Sequence, residues 1–410
     1  MKKLFALLLS LAMVLALVAC GQKDPTPDTP DTPDDPQTKV EYKVAMITDY
    51  GDITDQSFNQ TTYEACKAFA EKNNIEFKYY KPAGDNTADR VAMIESAVEE
   101  GFNVIVMPGY AFGGAIVEAA PEFPDVKFIA LDVAAGDLLE TAVAKAGEAY
   151  DYTPENWDLN KYVDMSNVYC AVYQEELCGY MAGYAAVKLG YKNLGFLGGM
   201  SVPAVVRYGY GFVQGVDAAA ADLGLTDVKL NYIYGGQFFG DADITAVMDT
   251  WYQGGTEVVF ACGGGIYTSA VDAAKKVNAK VIGVDVDQAG VIANYAGVDG
   301  MTVTSAMKGL YPATYDTLTD VIVNGNWEKY VGKIETLGLV SGTDPEANYV
   351  QIPMGDGTQW SDSFTQDDYK AMVKDMFDGK ITVSNNTSSD VSAADFATVI
   401  TVDDQGSIKG

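Results

Sequence analysis

The sequence predicts an α/β protein built as two doubly wound parallel-sheet lobes. Two observations carry this. Short apolar runs alternate with helix-length amphipathic stretches from Val44 to Asp132, and the alternation restarts at Val168 and continues to Asn324. The two series are of similar size, and a chain of 410 residues that is 48% hydrophobic can give each its own core.

The elements follow in order. Val44–Thr48 is a short apolar run ending at Asp49, the pattern of a buried parallel strand. Asp55 can cap a helix over Ser57–Lys72, where Phe58, Thr62, Ala65 and Phe69 recur at helical spacing. Ile75–Tyr80 reads as the second strand. Thr87 can cap a helix that Gly101 stops. Val104–Met107 is the third strand, closed by Pro108-Gly109, and a helix over Gly113–Ala120 leads to the fourth, Val126–Leu131, ending at Asp132. From Val133 to Ser166 the rhythm breaks; Tyr150, Tyr152, Trp157 and Tyr162 fall in a stretch read as an irregular, partly helical insertion. The second series predicts strands at Val168–Tyr173, Leu194–Leu197, Lys229–Tyr234, Val258–Ala261, Val281–Val284 and Met301–Thr304. Helices are expected over Glu175–Leu189, Gly209–Leu223, Ile244–Tyr252, Thr268–Val277 and Leu310–Asn324. A further helix is expected near Asp367–Phe377, with the rest of the tail unassigned. Ligands of such sheets bind outside the carboxyl ends of strands, and Asp49, Asp132 and Asp285 stand at those ends.

Ahead of the folded part, Lys2 and Lys3 precede an apolar run too short for a membrane span, and Leu17-Val18-Ala19-Cys20 closes it. That is a secretory signal with the bacterial lipobox pattern, predicting cleavage before Cys20 and a lipid on its thiol. Gly21–Thr38 is rich in Asp, Pro and Thr and reads as an extended spacer. The protein is therefore expected to be extracytoplasmic and anchored to the cell membrane by its lipid.

Composition narrows the chemistry. The formal charge is −30, and removal of Lys2 and Lys3 with the signal makes it −32. This argues against nucleic acid and against an anionic ligand, which only Arg90 and Arg207 could clamp with a guanidinium. There is no histidine, which removes the commonest general base and metal ligand; no enzyme, metal or cofactor is expected. Cys66, Cys170, Cys178 and Cys262 match no metal or redox spacing and read as buried free thiols. Gly198-Gly199 and Gly263–Gly265 lack the order of a phosphate loop.

At Asp49-Tyr-Gly-Asp-Ile-Thr-Asp55-Gln-Ser57-Phe58-Asn59 the sequence resembles the basic membrane protein family of substrate-binding lipoproteins, which includes purine nucleoside receptors of ABC importers. Further matches follow in order: Phe128–Asp132, Gln174–Tyr184, Gly195–Met200 with Pro203, Gly211–Gly215, Val281–Gln288 and Thr304–Lys308. The resemblance spans Val44 to Asn324. It departs at the 133–166 insertion and at Gly263–Tyr267, where the family has a longer Gly-rich stretch. It implies the type I periplasmic-binding-protein fold, two lobes joined by a hinge. On that fold the chain divides into a signal (1–19), a lipidated Cys with linker (20–39), an N-terminal lobe (40–166 plus 302–330) and a C-terminal lobe (167–301 plus 331–410).

The resemblance implies that a nucleoside binds in the cleft, that lobe closure delivers it to an ABC permease and its ATPase, and that the receptor is a monomer. It further implies contacts from Asp49, Phe58, Asn59, Asp132, Asp285 and Lys308. Phe58 would stack on the base, or is an ordinary core ring. Asn59 would read a base edge, or bonds its own backbone. Asp49 and Asp132 would accept from base N–H groups or ribose hydroxyls, or cap the next helix. Asp285 would take two neighbouring ribose hydroxyls and Lys308 would donate to ribose oxygens. A second aromatic face is expected from Tyr267, with Gly264 and Gly265 allowing close approach. Met200 and Arg207 are weaker candidates from the facing lobe, and Trp157 is a surface plug or reaches over the cleft. The alternatives are the same fold binding a sugar or small signalling molecule, and a nucleoside hydrolase built on Asp49, Asp52 and Asp55.

Overall fold

Two sheets, parallel except where the short edge strand β12 (Val350–Gln351) runs antiparallel to β10 (Thr302–Lys308), make up the folded part of the chain with helices on both faces, and the site lies where their carboxyl ends meet. The computed structural model describes residues 41–409. The expected signal, Cys20 and the spacer up to residue 39 lie outside the described residues.

The first sheet is built from β1 (Lys43–Ile47), β2 (Glu76–Tyr80), β3 (Val104–Pro108), β4 (Lys127–Leu131) and β5 (Val168–Tyr173). Its helices are α1 (Phe58–Asn73), α2 (Thr87–Glu99), α3 (Gly113–Ala119) and, inside the insertion, α4 (Ala135–Lys145) and α5 (Leu159–Tyr162). β1, β3, β4 and β5 are buried on both faces. Val44 and Met46 face one apolar cluster, and Ala45 and Ile47 the other, as the two-residue repeat of a strand requires.

The second sheet holds β6 (Asn193–Gly198), β7 (Lys229–Tyr234), β8 (Val258–Cys262), β9 (Lys280–Asp285) and β10 (Thr302–Lys308). Between them run α6 (Glu175–Lys188), α7 (Pro203–Leu223), α8 (Ala242–Gln253), α9 (Tyr267–Val277) and α10 (Ala289–Ala296). The remainder supplies α11 (Leu310–Leu318), β11 (Lys333–Leu337), β12 (Val350–Gln351), α12 (Gln366–Phe377) and β13 (Thr401–Ser407).

Strand order is β11-β5-β4-β3-β1-β2 in the first sheet and β12-β10-β9-β8-β6-β7-β13 in the second. Each contains the flavodoxin-like 2-1-3-4-5 order, with its switch points between β1 and β3 and between β6 and β8. Sheet membership corrects the expected division at three strands. β5 completes the first sheet against β4, β10 lies in the second against β9, and β11 returns to the first against β5. An apolar run states that a strand is buried but not which sheet receives it. The chain thus passes between the lobes just after Tyr173, just after Lys308, where α11 packs back on α1, and again between β11 and β12.

Two helix starts also differ. Asn86, not Thr87, caps α2, its side chain accepting from Asp89 N at 2.9 Å. α7 begins at Pro203 rather than Gly209, with the proline in the first turn, where its missing N–H costs nothing. The glycines of two quoted motifs have a packing role: a Cβ on Gly179 or Gly183 of α6, or on Gly211 or Gly215 of α7, would run into backbone of the other helix. These glycines let α6 and α7 touch along their length. Cys66, Cys170, Cys178 and Cys262 are buried and free. No helix among the described residues is long and apolar enough to cross a membrane.

Candidate functional site

The cavity sits at both switch points at once. Asp49 and Gly109, after β1 and β3, line it from one lobe; Gly263 and Gly264, after β8, line it from the other. It encloses about 730 Å³ free of protein atoms, its open mouth included.

On the first lobe, Ser57 and not Asp55 is the N-cap residue of α1, and Asp55, two residues before it, takes up the first-turn donors: its carboxylate accepts from the backbone N–H of Ser57 (2.9 Å), Asn59 (2.9 Å) and Gln60 (3.1 Å). This turns Phe58, the first residue of α1, into the cavity. Asn59 Nδ2 donates to Asp49 Oδ1 at 3.1 Å and to Asp55 Oδ2 at 3.0 Å. Its donors are spent on holding the two aspartates, so Asn59 lines the wall as a brace rather than as a free base-reading amide. Asp49 Oδ1 also accepts from Tyr50 N and Gly51 N, both at 2.6 Å, which leaves Oδ2 over Gly109. Burial pushes the Asp49 carboxyl above its usual range despite these bonds.

The floor is a buried ion cluster spanning both lobes. Lys308, at the end of β10, pairs with Asp132 at the end of β4, and its Nζ lies 3.4 Å from Glu175 Oε1 and 3.7 Å from Asp285 Oδ1. Arg207 meets the other Glu175 oxygen at 2.7 Å. Burial works against the Lys308 cation, but Asp132, Asp285 and Glu175 outweigh it and hold the ammonium charged. Nζ also lies 4.7 Å from the centre of the Phe58 ring, a cation–π contact. Asp285, at the end of β9, accepts from Ser57 Oγ and from Tyr208 OH, the latter at 3.3 Å. Asp132 and Asp285 both adopt left-handed backbone (φ 59° and 65°), a conformation that costs energy away from glycine and collects at binding sites. One oxygen of Asp132, Oδ1, is buried and has no partner. A buried carboxylate oxygen left in that state is costly unless a ligand donor meets it.

The aromatic wall comes from elsewhere than expected. Tyr267 opens α9 with its ring in the outer core, 5.8 Å from Tyr295, and does not line the cavity; neither does Gly265, whose N–H donates to Phe238 O at 2.9 Å. The ring facing the cavity is Phe238, from the loop after β7. A Cβ on Gly263 would strike it at 2.7 Å, so that glycine makes room for Phe238. Phe238 stacks on Tyr50 across the cleft, centroids 6.1 Å apart and 27° between planes. Tyr208 and Val205 of α7 complete the apolar lining. Met200 meets Tyr50 OH at 3.4 Å and Tyr110 OH at 3.8 Å at the rim. Arg207 stands one step behind Lys308. Trp157 packs among Tyr150 and Tyr162 in the insertion and donates to Asp151 at 2.7 Å, away from the cavity. The hydrolase trio does not converge, because Asp52 turns outward to Lys81 at 2.7 Å.

Two carboxyls behind the floor give a pH signature. Burial pushes Asp137 and Glu176 each up to about 7. Both hold a proton more tightly folded than unfolded. The stabilisation they lend is therefore full below about pH 4 and fades as the pH rises through about 7. The melting temperature is expected to be higher near pH 5 than near pH 8. A rise in Tm over the same interval contradicts this assignment.

A family model described as "ABC transporter substrate-binding protein PnrA-like" (Bmp) matches residues 42–343. The nucleoside-binding protein BmpA of an ABC transporter of Lactococcus lactis is 26% identical over 392 residues, 92% of this chain and 96% of that one. An uncharacterised lipoprotein of Pyrococcus abyssi is 26% identical, covering 74% and 69% of the two chains. Among solved structures, an ABC transporter solute-binding protein of Aeropyrum pernix superposes with a TM-score of 0.59 at 20% identity, over 84% of this chain and 88% of that one.

Proposed function

This chain belongs to the Bmp family of ABC transporter substrate-binding proteins, and from that premise we propose that it captures nucleosides, purines foremost, between its lobes. Delivery to the permease follows lobe closure, and a lipid on Cys20 keeps the receptor at the membrane outside the cytoplasm. The observation that carries the ligand class is the cavity wall: aromatic faces from Phe58, Phe238 and Tyr50 beside a buried, unpartnered carboxylate oxygen on Asp132. A flat, uncharged base fits the rings, and ribose hydroxyls or base N–H groups supply the donors that the carboxylates lack. Among the described residues, Asp49, Asp55, Asp132, Glu175 and Asp285 outnumber the cations Lys308 and Arg207 that pair with them, an arrangement that repels a phosphate. The nucleoside-binding name of the Lactococcus lactis relative supports the same reading.

Contacts already tie the lobes across this cavity. Ser57 bonds Asp285, Lys308 pairs with Asp132, and Gln288 Nε2 donates to Gln56 O at 3.2 Å. A ligand meeting groups of both lobes would add to these ties and favour the closed arrangement.

Phe58→Ala is expected to cost about 1–3 kcal/mol of nucleoside affinity, by analogy with base stacking on aromatic side chains. Unchanged affinity would return Phe58 to the role of a core ring. The ligand class itself is tested by unfolding the protein purified from its own host and identifying the released small molecule by mass spectrometry. A nucleoside supports the reading. A sugar or a nucleobase-free signalling molecule removes it and leaves the family membership intact.

A further inference from the structure

Phe238 sits in a loop, Gly235–Gly240, that makes one isolated bridge to Gly265 and no regular ladder. Its backbone is tied at the start by Gly235 N to Gly198 O (2.7 Å) and Gly236 N to Gly199 O (2.9 Å) and at Phe238 O by Gly265 N (2.9 Å), which leaves the Gln237 side chain to be held from elsewhere. The chain reaches it again from its far end, beyond the residues matched by the family model. The carboxylate of Asp217, buried on α7, accepts from the backbone N–H of Thr398 (2.8 Å), Val399 (2.8 Å) and Ile400 (3.1 Å) and from the Thr398 hydroxyl (2.6 Å). This aims β13 along the edge of the second sheet. β13 pairs in parallel with β7 from Thr401 opposite Lys229 to Ser407 opposite Tyr234, and Ile408 N continues the ladder to Tyr234 O at 2.8 Å. Trp251 of α8 donates to Gln405 at 3.2 Å.

The strand then delivers Lys409 onto the loop. Its backbone crosses Gly236, where φ is +79° and a Cβ would meet Lys409 at 2.7–2.8 Å. Its Nζ donates to Gln237 Oε1 at 2.9 Å and pairs with Asp241, the cap of α8. Gln237 Nε2 in turn donates to Phe239 O at 2.9 Å and Asp241 Oδ2 at 3.0 Å. Gln237, Lys409 and Asp241 therefore close a ring of contacts around the residue next to Phe238.

We infer that β13 and Lys409 form a strap that positions Phe238, making Lys409 a positioning residue for ligand affinity although it stands outside the cavity. The affinity part of this rests on the nucleoside reading above; the positioning part does not.

Lys409→Ala in the otherwise intact chain removes the clasp and leaves the β13 ladder and the Asp217 anchor in place, so the fold is retained. Amide hydrogen exchange across 236–240 is expected to quicken by about 2–5-fold, the range set by losing a partly exposed ion pair, with exchange in β6 and β8 unchanged. Lys409→Arg should restore the slow exchange. Nucleoside affinity should fall by a similar factor in Lys409→Ala, and that loss should vanish when Phe238→Ala is already present, because both changes act on one ring. Unchanged exchange at 236–240 overturns the strap. An affinity loss of equal size with and without Phe238 overturns its action through that residue. If no nucleoside binds the unaltered protein, the ligand reading fails, and the exchange experiment alone decides the strap.

Discussion

Replacing Lys308 with methionine is expected to destabilise the protein by about 3–5 kcal/mol, the cost of leaving buried charge without its partner. The side chain is 4% exposed and stands among Asp132, Glu175 and Asp285, with Asp132 contributed by one lobe and the other two by the second. Among the described residues no other cation can take its place. Arg207 reaches only the far oxygen of Glu175. Without Lys308 the carboxyls must protonate or the lobes must admit water. The deficit should therefore shrink as the pH is lowered, since protonated carboxyls need no counter-charge. Chemical denaturation of the two proteins at about pH 8 and near pH 5 measures both effects. A stability difference that is small, or that grows toward acid, contradicts the role given to Lys308. Ligand affinity should be lost as well, because Asp132 and Asp285 would no longer be held at the cavity floor.

The second large effect is expected at Asp285. Asp285→Ala should weaken nucleoside binding by about 100-fold, close to 3 kcal/mol, the upper range for hydrogen bonds to a charged group. The carboxylate lines the cavity in a left-handed backbone conformation and gathers Ser57 from one lobe and Tyr208 from the other. It can still accept from ribose, since a carboxylate offers about four acceptor sites. The sharper readout is a comparison of adenosine with 2′-deoxyadenosine. The unaltered protein should favour adenosine, and Asp285→Ala should bring the two affinities together. Equal affinities for both ligands in the unaltered protein would take the ribose away from Asp285.

Much of the fold and part of the site were legible in the sequence, for identifiable reasons. Asp49, Asp132 and Asp285 could be placed because each ends an apolar run, and parallel strands of one series all end on the same side. Phe58 and Asn59 were singled out by the family resemblance and not by the helical spacing, which reads Phe58 as a core ring, and the bonding of Asn59 to Asp49 and Asp55 could be seen only in three dimensions. Phe238 carried no signal, because an aromatic residue in a short loop belongs to no periodic pattern. Tyr267 attracted attention through its glycines, yet those glycines accommodate Phe238. Lys308 was named through the family resemblance alone, because a lysine at a strand end reads by itself as a solvated charge, and its partners Asp132, Glu175 and Asp285 are distant in sequence. β13 was invisible because Thr401–Ser407 is largely exposed, acidic and without apolar alternation. The sheets of β5, β10 and β11 depend on pairing, which an apolar run does not encode.

The central claim, that the cavity takes a nucleoside through its base and its ribose together, is tested most directly by calorimetric titration. The protein without residues 1–39 would be unfolded and refolded to strip carried-over ligand, then titrated with adenosine, guanosine, inosine, uridine, cytidine and ribose. Saturable heat from nucleosides, strongest for the purines, with ribose silent, is the predicted result. Binding of ribose as tight as that of any nucleoside, or no heat from the whole series in a folded protein, would contradict it.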